Sequence, residues 1–208
     1  MSERGRFISL EGGEGVGKST QARALQAALA ERGIDCLLTR EPGGSEGAEA
    51  IRALLLGGDE ARWSIRSEAL LFAAARADHV EKAIRPALGQ GRWVLSDRFA
   101  DSSLAYQGAA GGLGVERVRA LHQIGSENFL PDRTLVLLLG EGSERAKTRD
   151  RAGSDRIGGR SVDYHRKVEE AFRRLAEEEP ERVRLVDASG TREQVTQRLL
   201  DEVADLLP

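Results

Sequence analysis

The segment Gly12-Gly13-Glu14-Gly15-Val16-Gly17-Lys18-Ser19 fits the spacing G-x-x-x-x-G-K-[ST], and it constrains the fold more than any other part of the chain. Glycines let a backbone bend tightly and turn its N–H groups inward, where they cradle phosphate oxygens. Lys18 can reach the outer phosphates as a point charge, and the Ser19 hydroxyl can ligate Mg²⁺. Such a bend needs a strand before it and a helix behind it. Phe7-Ile8-Ser9-Leu10 is a short apolar run that reads as the strand. After Lys18, apolar residues recur at Ala22, Leu25, Ala28 and Leu29, which is one face of a helix. That helix aims its positive N-terminal end at the bend. A glycine-rich turn that binds nothing is the bland alternative. Lys18 and Ser19 in register, with both flanks correct, speak against it. The loop implies a nucleoside triphosphate site and leaves the reaction open.

Further short apolar runs occur at Ile34–Thr39, Trp93–Ser96, Leu135–Leu139 and Val183–Val186. Several do not alternate, which suits strands covered on both faces. Helical periodicity fills the intervals: Ser19–Arg32, Ser45–Leu56, Ser64–Leu88, Val115–Asn128, Ser143–Arg151, Val162–Glu178 and Thr191–Leu206. Strands alternating with helices predict an α/β fold, a doubly wound parallel five-stranded sheet flanked by helices. Right-handed crossovers then gather the carboxyl ends of the strands on one edge, where ligands bind. Thr39–Ser45, Asp97–Phe99 and an Arg-dense stretch ending in Asp155-Arg156 all fall on that edge. No Pro/Ser-rich linker, low-complexity run or repeat interrupts the 208 residues, so one domain over 1–208 is expected.

The formal net charge is −3, so bulk charge gives no reason to expect a nucleic-acid partner. No stretch approaches the length of a membrane span, and the N-terminus lacks an apolar leader. Cys36 is the single cysteine and lies in an apolar run, which predicts a buried, inert thiol. A cytoplasmic protein is the resulting expectation. Only Lys18, Lys82, Lys147 and Lys167 are lysines, so 27 of the 31 basic residues are Arg. An individual Arg therefore needs positional support before it counts as functional.

Ser96-Asp97-Arg98 closes an apolar strand beside the phosphate loop. An Asp there can orient Mg²⁺-bound water, and an Arg can bind the phosphate in transfer. Phe72 and Arg76 share a face of the long helix. From spacing alone, a core Phe with an Arg paired to an acidic neighbour is the favoured reading. Asp101–Gly108 suits recognition of a sugar and base, and equally a capped helix ending in a loop. The run Arg145–Arg156 holds Arg145, Lys147, Arg149, Arg151 and Arg156. A charge run is usually a solvated face. Following a strand that ends at the nucleotide, it reads better as an arginine lid over about 141–160, since phosphoryl transfer needs chiefly positioning and charge neutralisation.

Taken together, these residues resemble the thymidylate kinase family of P-loop nucleoside monophosphate kinases. The likeness rests on F-I-x-L-E-G-x-E-G-x-G-K-S-T at Phe7–Thr20, T-R-E-P-G-G at Thr39–Gly44 and L-F-A-A-x-R at Leu71–Arg76. It continues with D-R-F at Asp97–Phe99, S-S-x-A-Y-Q-G at Ser102–Gly108, P-D at Pro131–Asp132 and D-R-I at Asp155–Ile157. The resemblance implies transfer of the ATP γ-phosphoryl group to dTMP, giving dTDP, with Mg²⁺ held at Ser19 and Asp97. Gly12, Gly13, Glu14, Gly15, Val16, Gly17, Lys18, Ser19 and Thr20 would cradle the ATP phosphates. Phe72 would stack on thymine and Arg76 bond its exocyclic oxygen, in place of the core roles that spacing favours. Tyr106 would crowd the ribose 2′ position, Ser103 and Gln107 would line the base pocket, and Arg52 would join the dTMP site. Arg98 would contact the phosphates, and Glu14 the sugar or phosphate side of dTMP. A homodimer through the long helix is implied as well. Adenine is expected near the lid and Asp187-Ala188-Ser189.

Several positions depart from the family pattern. Gly15 stands where some members carry an Arg in the loop, so the lid must supply the arginine, as in the bacterial arrangement. Leu138, Lys147, Gly111 and Gly158-Gly159-Arg160 replace common Asp, Arg, Arg and acidic residues respectively. Lys18, Arg98, Glu14, Arg149 and Arg151 are the expected catalytic set. Replacing Arg149 or Arg151 with Ala is expected to lower kcat far more than it raises the KM for dTMP. Steady-state kinetics check this, and a pure KM effect contradicts it.

Overall fold

A computed structural model describes residues 4–140 and 157–208 of the chain. Five parallel strands form one sheet: β1 (Phe7–Gly12), β2 (Cys36–Arg40), β3 (Trp93–Asp97), β4 (Arg133–Leu138) and β5 (Val183–Asp187), in the order β2-β3-β1-β4-β5. Every residue of β1 is buried, as expected of a central strand covered on both faces. β1 pairs with β3 through Phe7↔Val94 and with β4 through Ile8↔Arg133. From β1 the chain crosses to β2 on one side, and from β4 it passes to β5 on the other. The connections diverge, so a crevice opens at the carboxyl ends of the strands.

Ile8 and Leu10 pack with Leu25 and Leu29 of α1 (Lys18–Ala30) and with Val195 and Leu199 of α8 (Arg192–Asp201). On the other side, Val136 meets Leu104, Tyr106, Phe172 and Leu175, the last two from α7 (Val162–Glu178). A third cluster joins Phe7, Val94 and Phe99 to Val80 and Ile84. Cys36 is buried, and burial pushes its thiol up to about 12, so it is inert at neutral pH.

After α2 (Glu46–Leu56), the long helical stretch begins at α3 (Ile65–His79), where the Ser64 hydroxyl accepts the Ser67 N–H at 3.2 Å. It continues through a π-helical segment, Val80–Ile84, into α4 (Arg85–Gly89). Asp101–Gly108 is helical, as α5 (Ala100–Ser103) runs into a π-helical segment, Leu104–Ala110. Boundaries shift elsewhere. β2 starts at Cys36 rather than Ile34, and β4 starts at Arg133 and ends at Leu138. α6 (Val115–Ser126) stops short of Asn128 because Glu127 and Asn128 take left-handed φ of 54° and 55°. The last helix ends at Asp201, and Ala204–Leu206 forms a separate 3₁₀ turn. The expected helix Ser143–Arg151 lies outside the described residues, as does the lid apart from Ile157 to Arg160.

A buried polar cluster locks α5 to β4 and β5. Asp101, fully buried, accepts from Arg182 at 2.7 and 2.9 Å and from the Thr134 hydroxyl at 2.8 Å. Burial alone would raise the Asp101 pKa. The hydrogen bonds and charge of Arg182, with Thr134, outweigh it and hold the carboxyl below its ordinary range. Its stabilisation is thus present at neutral pH and lost as acid protonates Asp101. Arg182→Ala strands a buried carboxylate and is expected to destabilise by about 3–5 kcal/mol at pH 7. Urea unfolding measures this, and the deficit should shrink at a pH below the ordinary carboxylate range.

Candidate active site

One cavity of about 920 Å³ lies at the carboxyl ends of the strands. It runs from Lys18, Ser19 and Thr20 to Phe72, Arg76, Ser103, Tyr106 and Gln107, and takes in Arg52, Asp97 and Arg98. Phosphate-loop and acceptor candidates, far apart in sequence, therefore line the same space. Glu14, Gly15 and Gly17 face it too. Gly12, Gly13 and Val16 are not lining residues. Val16 is anchored in the core, and Gly12 passes so close to β4 that a Cβ there would sit 2.4 Å from the Leu137 carbonyl oxygen. Their part in the loop is carried by backbone.

The Lys18 ammonium donates to the carbonyls of Gly12 at 3.2 Å and Gly13 at 2.7 Å. Burial lowers its pKa to about 8, and the Arg98 charge adds to the fall. Ser19 donates to Asp97 Oδ2 at 2.5 Å. These are two hard oxygen groups at the mouth of a phosphate loop. Among the described residues no cluster of three or more His, Cys, Asp or Glu can hold a metal. A pair of oxygens suits Mg²⁺, which keeps several waters and is completed by substrate phosphates.

Arg98 has a φ of 74°, a left-handed conformation that a side chain rarely adopts. Its guanidinium donates to the Gly12 carbonyl at 3.2 Å, Ser102 at 3.0 Å and the Tyr106 hydroxyl at 3.2 Å. It also pairs with Glu14 and lies 4.9 Å from the centre of the Tyr106 ring. Arg52 donates to the Pro42 carbonyl at 2.6 Å.

Arg76 is buried yet lines the cavity. Nε donates to Glu41 at 2.8 Å, and Nη2 to Ser103 at 3.0 Å and the Phe99 carbonyl at 3.2 Å. Nη1 carries two further N–H donors. Glu41 also holds His79 Nδ1 at 3.2 Å, and His79 Nε2 meets Thr39 at 2.8 Å. The T-R-E-P-G-G segment is thus the mount for Arg76.

Sequence reasoning missed the supporting carboxylates. In the sequence Glu41 is only one letter of the T-R-E-P-G-G motif. Glu11 receives the Phe99 N–H at 2.7 Å and the Ser102 hydroxyl at 2.5 Å, tying β1 to the D-R-F turn. Burial, with the Asp101 charge, pushes its carboxyl up to about 8. Its position at the end of an apolar strand was the available signal. Glu68 and Arg160 pair at 2.7 Å across 92 residues, which no local pattern announces. Arg149 and Arg151 lie outside the described residues.

A family model described as thymidylate kinase matches residues 10–199. A thymidylate kinase of Rhizorhabdus wittichii is 59% identical over 206 residues, covering 98% of this chain and 99% of the relative. One from Rhodopseudomonas palustris is 47% identical, covering 97% and 90%. The crystal structure of thymidylate kinase from Ehrlichia chaffeensis superposes with a TM-score of 0.79 at 28% identity, covering 95% of this chain and 98% of that one.

Gly44 tests the mount. Its φ is +86°, and a Cβ would lie 2.3 Å from His79 Nε2 and 2.4 Å from Thr39 Oγ1. Gly44→Ala is expected to cost about 1–3 kcal/mol and to displace the His79–Glu41–Arg76 chain. Thermal melting with and without added nucleoside monophosphate should show a lower Tm and a smaller ligand-induced rise.

Proposed function

The chain belongs to the thymidylate kinase family, and on that premise we propose how its cavity carries phosphoryl transfer from ATP to dTMP, giving dTDP. The observation that carries the reading is the single cavity shared by the phosphate loop and the aromatic, arginine-lined wall opposite it. A donor triphosphate in the loop and an acceptor monophosphate against that wall would meet near Arg98.

The loop amides of Gly12–Thr20 and the N-terminus of α1 take the ATP phosphates. Lys18 leaves the Gly12 and Gly13 carbonyls for the outer phosphates. Ser19 and Asp97 would hold Mg²⁺, which when bound would offset phosphate charge. Arg98 and Glu14, already joined, orient the transferring group and the sugar-phosphate end of dTMP. Phe72 stacks on thymine, and the Arg76 Nη1 donors meet an exocyclic oxygen. Tyr106 crowds the ribose 2′ side, while Ser103, Gln107 and Arg52 complete the pocket. Arg149 and Arg151, on a lid of about 141–160, supply the remaining charge and exclude water. Little covalent chemistry is asked of the protein, so positioning supplies most of the effect.

The reading also covers assembly and setting. The chain acts as one kinase domain, in the cytoplasm, and pairs as a homodimer along α3. In support, Leu70 on α3 and Ile124 on the adjoining α6 are 57% and 83% exposed. No described helix is long and apolar enough to cross a membrane.

A panel of dTMP, dUMP, UMP and thymidine with ATP and Mg²⁺, read as ADP formed, tests the assignment. dTMP should give the highest kcat/KM. No ADP with dTMP overturns the reading.

A further inference from the structure

Two buried charged groups stand behind the cavity wall without lining it. Glu68 of α3 is fully buried, and the Arg160 side chain is 10% exposed. Glu68 Oε2 accepts from Arg160 Nη2 at 2.7 Å, and Glu68 Oε1 accepts from the Gln107 side-chain Nε2 at 2.8 Å. Gln107 is itself a lining residue.

The order of these groups has a direction. A guanidinium only donates, and a carboxylate only accepts. Glu68 therefore draws the NH₂ end of the Gln107 amide toward itself. An amide is planar with its two ends opposed, so the carbonyl oxygen Oε1 is the end turned away from Glu68. A buried amide would otherwise be free to present either end to a ligand.

We propose that Glu68, held by Arg160, is a positioning residue that sets the polarity of the Gln107 amide, so that the pocket offers an acceptor and selects a base with a ring N–H. The inference rests on the reading that places dTMP beside Gln107. Thymine and uracil carry a proton on N3. Cytosine presents a bare lone pair there, which an amide oxygen repels. Selection against cytosine is thus built two residues back from the base.

Arg160 extends the arrangement to the sugar side. It donates to the Tyr164 hydroxyl at 2.5 Å, and that hydroxyl donates to the Tyr106 carbonyl at 2.7 Å. Tyr106 and Gln107 belong to one π-helical segment. A single cation just before α7 therefore braces both neighbouring pocket residues. π-Helical turns are rare and recur at functional sites.

The test is the isosteric variant Glu68→Gln. Arg160 can only donate, so it claims the new side chain's carbonyl oxygen and leaves that residue's NH₂ facing Gln107. Gln107 must then accept, and its own NH₂ turns toward the base. Steady-state kinetics with ATP, using dTMP and dCMP as acceptors, read the outcome. For E68Q, kcat/KM for dTMP should fall roughly ten- to a hundredfold, mainly through KM, while that for dCMP does not fall. The KM for ATP should hold.

Equal losses for both acceptors, or an unchanged dTMP-to-dCMP ratio, overturn the inference, because a merely structural role lowers both together. Should E68Q fail to fold, Gln107→Leu decides: the ratio must narrow there, and its persistence refutes the role of the amide. A wild-type chain that leaves dTMP unconverted defeats the underlying reading instead, whereas a converting wild type with an unmoved E68Q ratio defeats this inference alone.

Discussion

The contact on which the site depends is the one Arg98 makes across the end of β1. β3 lies beside β1 in register, with Leu10 opposite Asp97. The next residue donates its N–H to the Leu10 carbonyl at 2.9 Å and turns into a left-handed conformation. That turn throws three consecutive side chains or amides in three directions. Asp97 meets Ser19 at the start of α1, the Arg98 side chain grips the loop at Gly12 and Glu14, and the Phe99 N–H is caught by Glu11. Phe99 then fills the core edge-on to Phe7, ring centres 4.8 Å apart. The glycine loop and the opposite wall of the cavity are thereby fixed to one another through neighbouring strands. For a reaction governed by positioning, such a mount matters more than any single contact.

Sequence carried the strands well because a central parallel strand is buried on both faces and reads as a short, mostly apolar run, as Phe7–Leu10 and Trp93–Ser96 do, with Ser9 and Ser96 as buried polar exceptions. It carried the loop because a phosphate cradle allows few residue types. It did not carry the π-helical segments at Val80–Ile84 and Leu104–Ala110, since a change from i→i+4 to i→i+5 bonding leaves no mark in composition. Helix ends moved for local reasons: backbone at Glu127 and Asn128 turns left-handed where apolar periodicity would have run on. Arg76 shows the limit most clearly. Spacing suggested an Arg paired with an acidic neighbour, and the family likeness suggested a ligand contact. The pairing exists, with Glu41, whose place 35 residues away no helical spacing reveals, and the same guanidinium lines the cavity. Glu68 and Arg160 were invisible for the same reason, joined only by the fold.

Three largely buried ion pairs recur in this fold: Glu41–Arg76 in the cavity wall, and Glu68–Arg160 and Asp101–Arg182 outside its lining. Buried pairs contribute little net stability, because desolvation consumes most of the attraction, and well-packed apolar residues often do as well. Their value here lies in direction. An apolar wall can hold a base by its shape and area, but it cannot tell an N–H from a lone pair. Neutral amides and hydroxyls can, yet each works in two orientations. Only groups that exclusively donate or exclusively accept impose a sense on the neutral groups between them. Arg76 is set by Glu41 and His79, the Thr134 hydroxyl by Asp101 and Arg182, and the Gln107 amide by Glu68 and Arg160. In each pair the carboxylate is shielded from solvent that would blunt its field. The buried carboxylates around this cavity thus give a chemical sense to its lining, to Arg76 through Glu41 and to Gln107 through Glu68.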